Sequence, residues 1–268
     1  MSIKGTILGD IAGSRYEFMN RARKDIDPAT AEMFTDKHRY TDDTVMSIGT
    51  KLAVLENPDK PDFTKWYHAL GNKYTKAGYG GMFRQWLASD NPQPYNSFGN
   101  GSAMRVSYIG EYYDTVEEVI QHARESAQVT HNHPQGVKGA VVTAVAVFMA
   151  KHGSTKEEIF NYVNNFYNDE EVYKYPTTMS LAEMHKIYRW DVSCQGSVPA
   201  AFRCIYEANS YEEFIRNVYS LPCDRDTLCA IGGSVAEELF GFGNLDANNL
   251  LEKYLDDYLY DNTIVEKG

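Results

Sequence analysis

The sequence predicts an all-α fold that forms a single compact domain. Apolar residues recur every three or four positions along most of the chain, which is the spacing of amphipathic helices. No series of segments alternates apolar and polar residues as half-buried strands do. The 268 residues contain no internal repeat, linker or low-complexity stretch, so residues 1–268 are expected to fold together.

Composition narrows the classes of function. The net charge of -11 argues against a broad nucleic-acid-binding face. No apolar run reaches the length of a membrane span, and the N-terminal residues do not resemble a secretion signal, so we expect a cytoplasmic protein without membrane contact. Four cysteines lack zinc-site spacing and are expected to be free, buried thiols: Cys194, Cys204, Cys223 and Cys229. Nothing in the sequence indicates an oligomeric state.

The first third of the chain predicts helices separated by polar and glycine-rich segments. Residues 5–13 are small and apolar, which suits a helix that packs closely on its neighbours. Helices are predicted from about residue 43 to 56, where Asn57-Pro58 ends the first, and from about 62 to 76. Residues 20–39 are polar and mixed in charge, and we expect a loop that can move over the site.

The middle of the chain alternates short loops with helices. Glycines within 78–81 break the chain, and a short amphipathic turn follows at 83–87. Thr115 with Glu118 has the pattern of a capping box and opens a further helix. Residues 136–152 are small and apolar on all sides, as in a helix at the centre of a bundle.

The last third predicts several more helices and one irregular segment. Ser154-Thr155 opens a helix that ends near residue 167, and residues 168–192 are expected to be irregular. Residues 194–199 are expected to precede the next helix. Further helices are predicted after Ser210, after Thr227 and over residues 250–260.

The stretch Tyr40-Thr41-Asp42-Asp43-Thr44 places two adjacent carboxylates at the start of a predicted helix. One interpretation is that Asp42 or Asp43 caps the helix and interacts with its positive end. The other is that hard oxygen atoms converge on a divalent cation, because carboxylates and hydroxyls suit Mg²⁺, Mn²⁺ or Ca²⁺. Asp224-Arg225-Asp226-Thr227 repeats the pattern near the other end of the chain. Two oxygen-rich helix starts are what a metal site between helices needs.

Two further stretches have compositions found at ligand contacts. Gly99-Asn100-Gly101-Ser102 leads into a helix, where backbone amides can approach a phosphate closely and Arg105 can add a charge. The alternative is a plain turn before a helix. Thr130-His131-Asn132-His133-Pro134 carries two histidines without a matching cluster of nitrogen or sulfur ligands, so they are loop or packing residues unless they line a cleft.

As a set, these stretches resemble the ADP-ribosylglycohydrolase family, the relatives of dinitrogenase reductase-activating glycohydrolase. They occur in the family's order through nearly the whole chain, and together they are highly specific. The matching motifs are Gly9-Asp10-Ile11-Ala12-Gly13, Tyr40 to Thr44, Gly99-Asn100-Gly101-Ser102-Ala103-Met104-Arg105, Thr130-His131-Asn132-His133-Pro134, Cys194-Gln195-Gly196-Ser197-Val198-Pro199 and Asp224-Arg225-Asp226-Thr227. The resemblance implies an orthogonal helical bundle.

The resemblance also implies a site with two Mg²⁺ or Mn²⁺ ions. Their expected ligands are Thr41, Asp42, Asp43, Asp224, Asp226 and Thr227. The residues themselves agree, because so many acids in one place repel one another unless cations are present. The residues that the resemblance places on an ADP-ribose cleft are Gly99, Asn100, Gly101, Ser102 and Arg105, with one of His131 and His133. Of the two histidines we favour His133.

The reaction implied by the resemblance is hydrolysis of the glycosidic bond at the anomeric carbon of an ADP-ribosyl group. The substrate is then an ADP-ribosylated protein or a small ADP-ribosyl compound, and ADP-ribosylation is reversed. Glu17 is the candidate for acid–base work, with Asp42 or Asp43 as the competing choice. Two alternatives stay open: a non-catalytic ADP-ribose-binding module, and another bimetal hydrolase acting on a diphosphate-containing substrate.

Arg225 departs from the family pattern. Relatives usually carry Gly-Gly-Asp-Ser-Asp-Thr where this chain has Pro222-Cys223-Asp224-Arg225-Asp226-Thr227. An arginine has no acceptor atom and does not ligate a cation. We therefore predict that Arg225 turns away from the metals and pairs with a neighbouring acid or carbonyl; the alternative is a contact with the substrate diphosphate.

Overall fold

The computed structural model describes residues 2–17 and 26–264, and every regular element within those ranges is a helix. The strand-like pairing there is limited to one isolated antiparallel bridge, between Gly99 and Ser193. The all-α prediction is therefore confirmed. Of the predicted loop over residues 20–39, residues 26–39 contain no helix, and residues 20–25 lie outside the described residues.

The helices follow one another with short connections. Their bounds are α1 Lys4–Ser14, α2 Asp42–Glu56, α3 Phe63–Lys73, α4 Gly81–Leu87, α5 Gly101–Met104, α6 Ser107–Tyr112, α7 Val116–Gln128, α8 Pro134–Lys151, α9 Lys156–Tyr167, α10 Leu181–Ile187, α11 Cys194–Tyr206, α12 Tyr211–Ser220, α13 Arg225–Phe240, α14 Ala247–Tyr254 and α15 Asp257–Ile264. None of these helices combines the length and hydropathy of a membrane-spanning segment.

The backbones of helices α1 and α13 lie in direct contact. The small residues of the first helix, among them its glycines, allow this contact. A Cβ added to Gly9 would lie 2.3 Å from the carbonyl oxygen of Cys229, and one added to Gly13 would lie 2.3 Å from the Cα of Asp226. Only glycine fits at such positions. The seam brings the start of α13 beside the end of α1, and the site lies there.

Helix α8 occupies the centre of the bundle, as its apolar sequence predicts. Its residues are buried on most sides, including Ala140, Val142 and Ala144. Helix α6 packs closely on α8. A Cβ added to Gly110 of α6 would lie 2.3 Å from the carbonyl oxygen of Ala144. All four cysteines are free and buried, as expected.

Three predictions of local structure are wrong. The segment expected to be irregular contains α10, which Ser180 and Glu183 open with a capping box. Residues 194–199 do not precede a helix but form the beginning of α11, with Ser193 as its N-cap and Pro199 inside it. The helix predicted over residues 250–260 is divided into α14 and α15.

Candidate functional site

Asp10 of α1 anchors the start of α2. Its carboxylate accepts hydrogen bonds from the backbone N–H of Thr41 at 2.8 Å, from Thr41 Oγ1 at 2.7 Å and from the backbone N–H of Thr44 at 3.1 Å. Burial raises the pKa of Asp10, and these hydrogen bonds oppose that rise. Asp10 thereby fixes the backbone on which Asp42 and Asp43 stand.

Five carboxylates form an acidic cluster: Asp10, Glu17, Asp43, Asp224 and Asp226. Asp10, Asp43 and Asp226 each bring a carboxylate oxygen within 4.8 Å of the others, and Glu17, Asp224 and Asp226 do the same. Asp226 belongs to both groups. The α1–α13 seam explains this geometry, since Asp10 stands on one helix of the seam and Asp226 on the other.

The carboxylates of the cluster raise one another's pKa. Burial, followed by the charges of Asp224 and Asp42, raises the pKa of Glu17 to about 8. Burial, followed by the charge of Asp10, raises the pKa of Asp42 to about 7. Burial and neighbouring carboxylates also hold the pKa values of Asp43 and Asp226 well above the usual range.

The donor set fits hard divalent cations. It consists of carboxylate and hydroxyl oxygens, and the buried Oδ1 of Asp43 accepts no hydrogen bond from any residue described. A positive ion at this point would offset the repulsion among the acids and occupy the lone pairs of Asp43.

The six predicted ligands lie together. Asp42, Asp43, Asp224, Asp226 and Thr227 line the same cleft. Thr41 caps α2 and places its Oγ1 3.1 Å from Asp43 Oδ2, and Thr227 Oγ1 lies 3.5 Å from the same oxygen. Asp42 lies at the edge, partly exposed and outside both groups of three. The two carboxylates that complete the cluster, Asp10 and Glu17, were not among the predicted ligands.

A cleft of about 590 Å³ opens above the acidic cluster. Gly99, Asn100 and Gly101 line one wall, as the sequence predicts. Asn100 Nδ2 donates to Asp224 Oδ2 at 2.9 Å and to Ser197 Oγ at 3.0 Å, so this turn is tied to the cluster. The backbone N–H groups of Gly99 and Asn100 donate within the protein, to Ser97 Oγ at 3.1 Å and to the carbonyl oxygen of Val192 at 2.8 Å. The arrangement places the glycine turn and the carboxylates on one cavity.

Ser102 does not line the cleft, and its predicted ligand contact is wrong. Its side chain is fully buried and donates to the carbonyl oxygen of Gly136 at 2.8 Å. The reason is that α5 is a single turn packed on α8, so the face of α5 that bears Ser102 points inward.

Arg105 reaches the cleft only from beneath, with 1% of the residue exposed. Its Nη2 donates to the carbonyl oxygen of Ser126 at 2.9 Å and to Thr130 Oγ1 at 2.8 Å, and its guanidinium stacks 4.1 Å from the ring centre of Tyr67. These contacts hold the charge within the protein, so the predicted direct contact with a diphosphate is not supported.

His131 lines the cleft and His133 does not. The prediction that His133 is the histidine on the cleft is therefore wrong. His133 is the N-cap of α8, and its Nδ1 accepts from the backbone N–H of Gln135 at 3.1 Å. The following Pro134 at the first helical position is the signal that marks His133 as a cap.

The opposite wall and the rim of the cleft were missed in the sequence. Residues 78–84 form much of that wall, and Tyr95, Trp190 and Val192 add apolar surface. Aromatic residues beside the glycines at 78–81 were the available signal. With 20 tyrosines in the chain, that signal did not stand out.

Arg225 turns away from the carboxylates, as predicted. Its Nε and Nη2 donate to the carbonyl oxygen of Tyr219 at 3.3 and 3.1 Å, and its Nη1 donates to that of Tyr16 at 3.2 Å. The residue is 3% exposed and does not line the cleft. The alternative of a diphosphate contact is therefore not supported.

Comparison with known proteins gives a consistent family context. A family model described as ADP-ribosylglycohydrolase matches residues 2–262. The chain is 26% identical to the bovine (Bos taurus) ADP-ribosylhydrolase ARH3 over 308 residues, covering 89% of this chain and 84% of that protein. It is 33% identical to the human (Homo sapiens) ADP-ribosylhydrolase ARH3 over 188 residues, covering 59% of this chain and 51% of that one.

Two more distant similarities extend over almost the whole chain. The chain is 20% identical to the ADP-ribosylarginine hydrolase Tri1 of Pseudomonas putida, covering 91% of this chain and 71% of that protein. Among solved structures, a chain of an ADP-ribosylglycohydrolase-related protein complex superposes with a TM-score of 0.68 at 18% identity, covering 98% of this chain and 96% of that one. The superposition shows a shared fold.

Proposed function

The chain belongs to the ADP-ribosylglycohydrolase family, and we propose that it is a metal-dependent hydrolase that cleaves the glycosidic bond of an ADP-ribosyl group. The observation that carries this proposal is the acidic cluster beneath a cleft whose wall is the Gly99–Gly101 turn. Such a cleft can hold a diphosphate beside the glycine turn at one end and a ribose beside the carboxylates at the other.

We assign Mg²⁺ or Mn²⁺ ions, two in number, to the acidic cluster. The residues that would hold them are the predicted ligands Thr41, Asp42, Asp43, Asp224, Asp226 and Thr227. When bound, such ions supply a positive charge that orients ribose hydroxyls and water and stabilises charge in the transition state. Asp10 supports this set from below through its hydrogen bonds to Thr41.

Glu17 is assigned the proton transfers. It is half-buried at the edge of the cluster, and burial raises its pKa above the usual value for a glutamate, which favours a group that both gives and takes a proton. In its protonated form it donates its proton to the acceptor atom as the bond from that atom to the anomeric carbon breaks. The resulting carboxylate takes a proton from the water whose oxygen bonds to the same carbon. The products are free ADP-ribose and the unmodified acceptor.

The proposed substrates are ADP-ribosylated protein side chains or related ADP-ribosyl compounds. Support comes from the curated relatives, which are named as ADP-ribosylhydrolases and an ADP-ribosylarginine hydrolase. The cleft volume of about 590 Å³ is within the ordinary range for small-molecule sites. Cytoplasmic action on these substrates stays a prediction.

A panel of substrates tests the proposal. ADP-ribosylated arginine, ADP-ribosylated serine, ADP-ribose phosphate and a generic phosphodiester are each incubated with the protein in Mg²⁺ and in EDTA. We expect release of ADP-ribose from at least one glycosidic substrate in Mg²⁺, and none in EDTA. Cleavage of the phosphodiester alone would favour a different bimetal hydrolase, and tight ADP-ribose binding without turnover would favour a binding module.

Glu17→Gln tests the assigned proton transfers. The change is nearly isosteric, so we expect ADP-ribose affinity to stay within about threefold while kcat falls by at least about a hundredfold. Isothermal titration and steady-state kinetics measure the two quantities. If affinity collapses while kcat is unchanged, Glu17 binds the substrate and does not transfer protons.

A further inference from the structure

A chain of buried polar groups runs beneath the cleft from Arg105 through Thr130 to His131. Arg105 Nη2 lies 2.8 Å from Thr130 Oγ1, and Thr130 Oγ1 lies 2.7 Å from His131 Nδ1. Thr130 is fully buried, and Arg105 and His131 are 1% and 6% exposed. Arg105 comes from a different part of the chain than the adjacent Thr130 and His131, so its contact with Thr130 depends on the fold.

The positions of the hydrogens follow from the chemistry of these groups. Arginine is always a donor, so Thr130 Oγ1 accepts from Arg105. The hydroxyl hydrogen of Thr130 then needs an acceptor, because a buried hydroxyl is rarely left unsatisfied. The acceptor in reach is Nδ1 of His131. An Nδ1 that accepts carries no hydrogen, so a neutral His131 carries its hydrogen on Nε2.

The second nitrogen of His131 faces the Gly99–Gly101 turn. A Cβ added to Gly101 would lie 3.2 Å from His131 Nε2, and one added to Gly99 would lie 3.6 Å from it. Both glycines and His131 line the cleft. The Nε2–H group therefore supplies a hydrogen-bond donor at this wall of the cleft, where the backbone N–H groups of Gly99 and Asn100 already donate to Ser97 Oγ and to the carbonyl oxygen of Val192.

We propose that Arg105 and Thr130 are positioning residues that hold His131 as the neutral Nε2–H tautomer, so that it donates a hydrogen bond to the anionic part of the ligand at the Gly99–Gly101 turn. This inference rests on the proposed function for the identity of the ligand, an ADP-ribosyl diphosphate. Arg105 then acts on the ligand through Thr130 and His131, although its own charge stays buried.

The electrostatics agree with a neutral ring. Burial, followed by the positive charge of Arg105, lowers the pKa of His131 well below its usual value. Besides Arg105, the neighbouring ring is that of Tyr95, whose centre lies 6.0 Å from that of His131 and whose pKa burial raises to about 12. His131 is therefore a donor that does not depend on protonation near neutral pH.

The tautomer is measured directly by two-dimensional ¹H–¹⁵N correlation of histidine ring nitrogens in the full-length protein. We expect His131, assigned by comparison with His131→Gln, to show a protonated Nε2 and an unprotonated Nδ1. A protonated Nδ1, or a charged ring at neutral pH, would overturn the proposal. This reading needs neither substrate nor turnover, so it stands or fails separately from the proposed hydrolase activity.

Variants of Thr130 test the connection. Thr130→Val removes the hydroxyl at nearly constant volume, and we expect the fixed tautomer to be lost and the Kd for ADP-ribose to rise about tenfold. Thr130→Ser keeps the hydroxyl and should keep both properties. The matched control is Thr143→Val, because Thr143 is also fully buried and its hydroxyl contacts no described partner.

The outcomes separate a positioning role from a merely structural one. If Thr130→Val changes the tautomer and the Kd while Thr143→Val changes neither, the proposal holds, whatever the two Tm values. If Thr130→Val leaves the His131 tautomer and the Kd as they are in the unmodified protein, the proposal is wrong. If Thr130→Val fails to fold, the ring-nitrogen spectrum of the unmodified protein still decides the tautomer.

Discussion

Arg225 stands between two carboxylates of the acidic cluster and yet contributes to the packing of α13. Its guanidinium donates to the carbonyl oxygens of Tyr219 and Tyr16, which joins the segment before α13 to the end of α1. This orientation could be predicted from the sequence, because arginine has no acceptor atom and does not ligate a cation. The identity of its partners could not be predicted, because it depends on the fold.

Arg225→Ser is expected to lower stability and leave catalysis nearly unchanged. Serine cannot reach the carbonyl oxygens of Tyr219 and Tyr16, and buried carbonyls without partners cost about 2 to 4 kcal/mol in total, or a fall in Tm of about 5 to 15 °C. Thermal unfolding and steady-state kinetics check the two halves of the statement. A large rise in KM at unchanged Tm would show instead that Arg225 contacts substrate.

Glu111 is a buried carboxyl far from the cleft and makes stability depend on pH. It is 1% exposed, its Oε2 accepts from the backbone N–H of Ser2 at 3.2 Å, and its Oε1 has no partner among the residues described. Burial, followed by the charge of Glu238, raises its pKa from 4.5 to about 8. The native state then binds more protons than the unfolded state between these values, so stability falls as pH rises through that window.

Glu111→Gln should remove this pH dependence. The amide stays neutral at every pH, and the Tm of the variant should exceed that of the unmodified protein by roughly 5 °C or more at pH 8 and by little at pH 5. Thermal unfolding at pH 5, 6, 7 and 8 measures the difference. Glu252→Gln, at an exposed position, is the control and should follow the unmodified protein. Parallel curves for Glu111→Gln and the unmodified protein would contradict the prediction.

At the scale of elements, the seam between α1 and α13 determines where the carboxylates meet. Asp10 and Asp226 stand on the two helices of the seam, and Gly9 and Gly13 let the backbones approach. A side chain at either glycine has to displace the backbone of α13, since no flexible group lies in the way. The distances between the carboxylates of the acidic cluster are therefore determined by the packing of α1 against α13.

Gly9→Ala is expected to reduce both stability and activity. Its Cβ would lie 2.3 Å from the carbonyl oxygen of Cys229, and overpacking against backbone costs about 3 kcal/mol or more, so the Tm should fall by at least about 5 °C. The rate should fall as well, because α13 carries Asp226. Gly81→Ala is the control for stability: nothing lies within 4 Å of its added Cβ, and alanine is favoured in helices. Equal Tm values for the two variants would disprove the close contact.

Long helices rich in apolar residues were predicted well from the sequence, and short helices with few buried residues were predicted poorly. The helices α2 and α8 combine a cap with a long apolar run, and their predicted positions are nearly correct. The helix α10 has the Ser180–Glu183 capping box but buries only Met184, so no apolar stripe revealed it. Pro199 was taken as a boundary, whereas the burial of its neighbours in α11 offsets the missing amide hydrogen bond.

At the scale of the whole molecule, the ligand types of the site could be predicted and their orientations could not. Paired carboxylates and threonines identify a hard-cation site from composition alone, whatever the fold. Whether Ser102 faces a cleft or α8, and which histidine caps a helix, depend on packing among α5, α8 and the turn before them. The carboxylates and threonines that lie together could therefore be named from the sequence, whereas several other side chains were placed wrongly.

Divalent cations should stabilise the whole molecule, because the proposed ligands come from helices at opposite ends of the chain. At about a hundred times the Kd, Mg²⁺ or Mn²⁺ should raise the Tm by about 5 to 10 °C. Asp226→Asn should lose most of this rise and reduce activity by at least about a hundredfold, since Asp226 belongs to both groups of three. Differential scanning calorimetry and kinetics with and without EDTA measure both effects.

The control for that experiment is Asp90→Asn, which changes an exposed carboxylate outside the cleft and should keep the full rise in Tm. Asp226→Asn should also be at least as stable as the unmodified protein in EDTA, because it removes one of several repelling charges. An unmodified protein whose Tm and activity are the same in Mg²⁺ and in EDTA would rule out a metal site in the acidic cluster.

The two helices of the α1–α13 seam are synthesised at different times, because they lie far apart in the sequence. Asp10 and Asp43 leave the ribosome early, whereas Asp224 and Asp226 follow them by about 180 residues. At the usual rates of translation this is a delay of roughly 10 to 40 seconds, during which the glycine face of α1 has no partner. A nascent chain therefore cannot assemble the acidic cluster until its synthesis is almost finished. Premature termination anywhere in the long central part leaves three of the five carboxylates of the cluster.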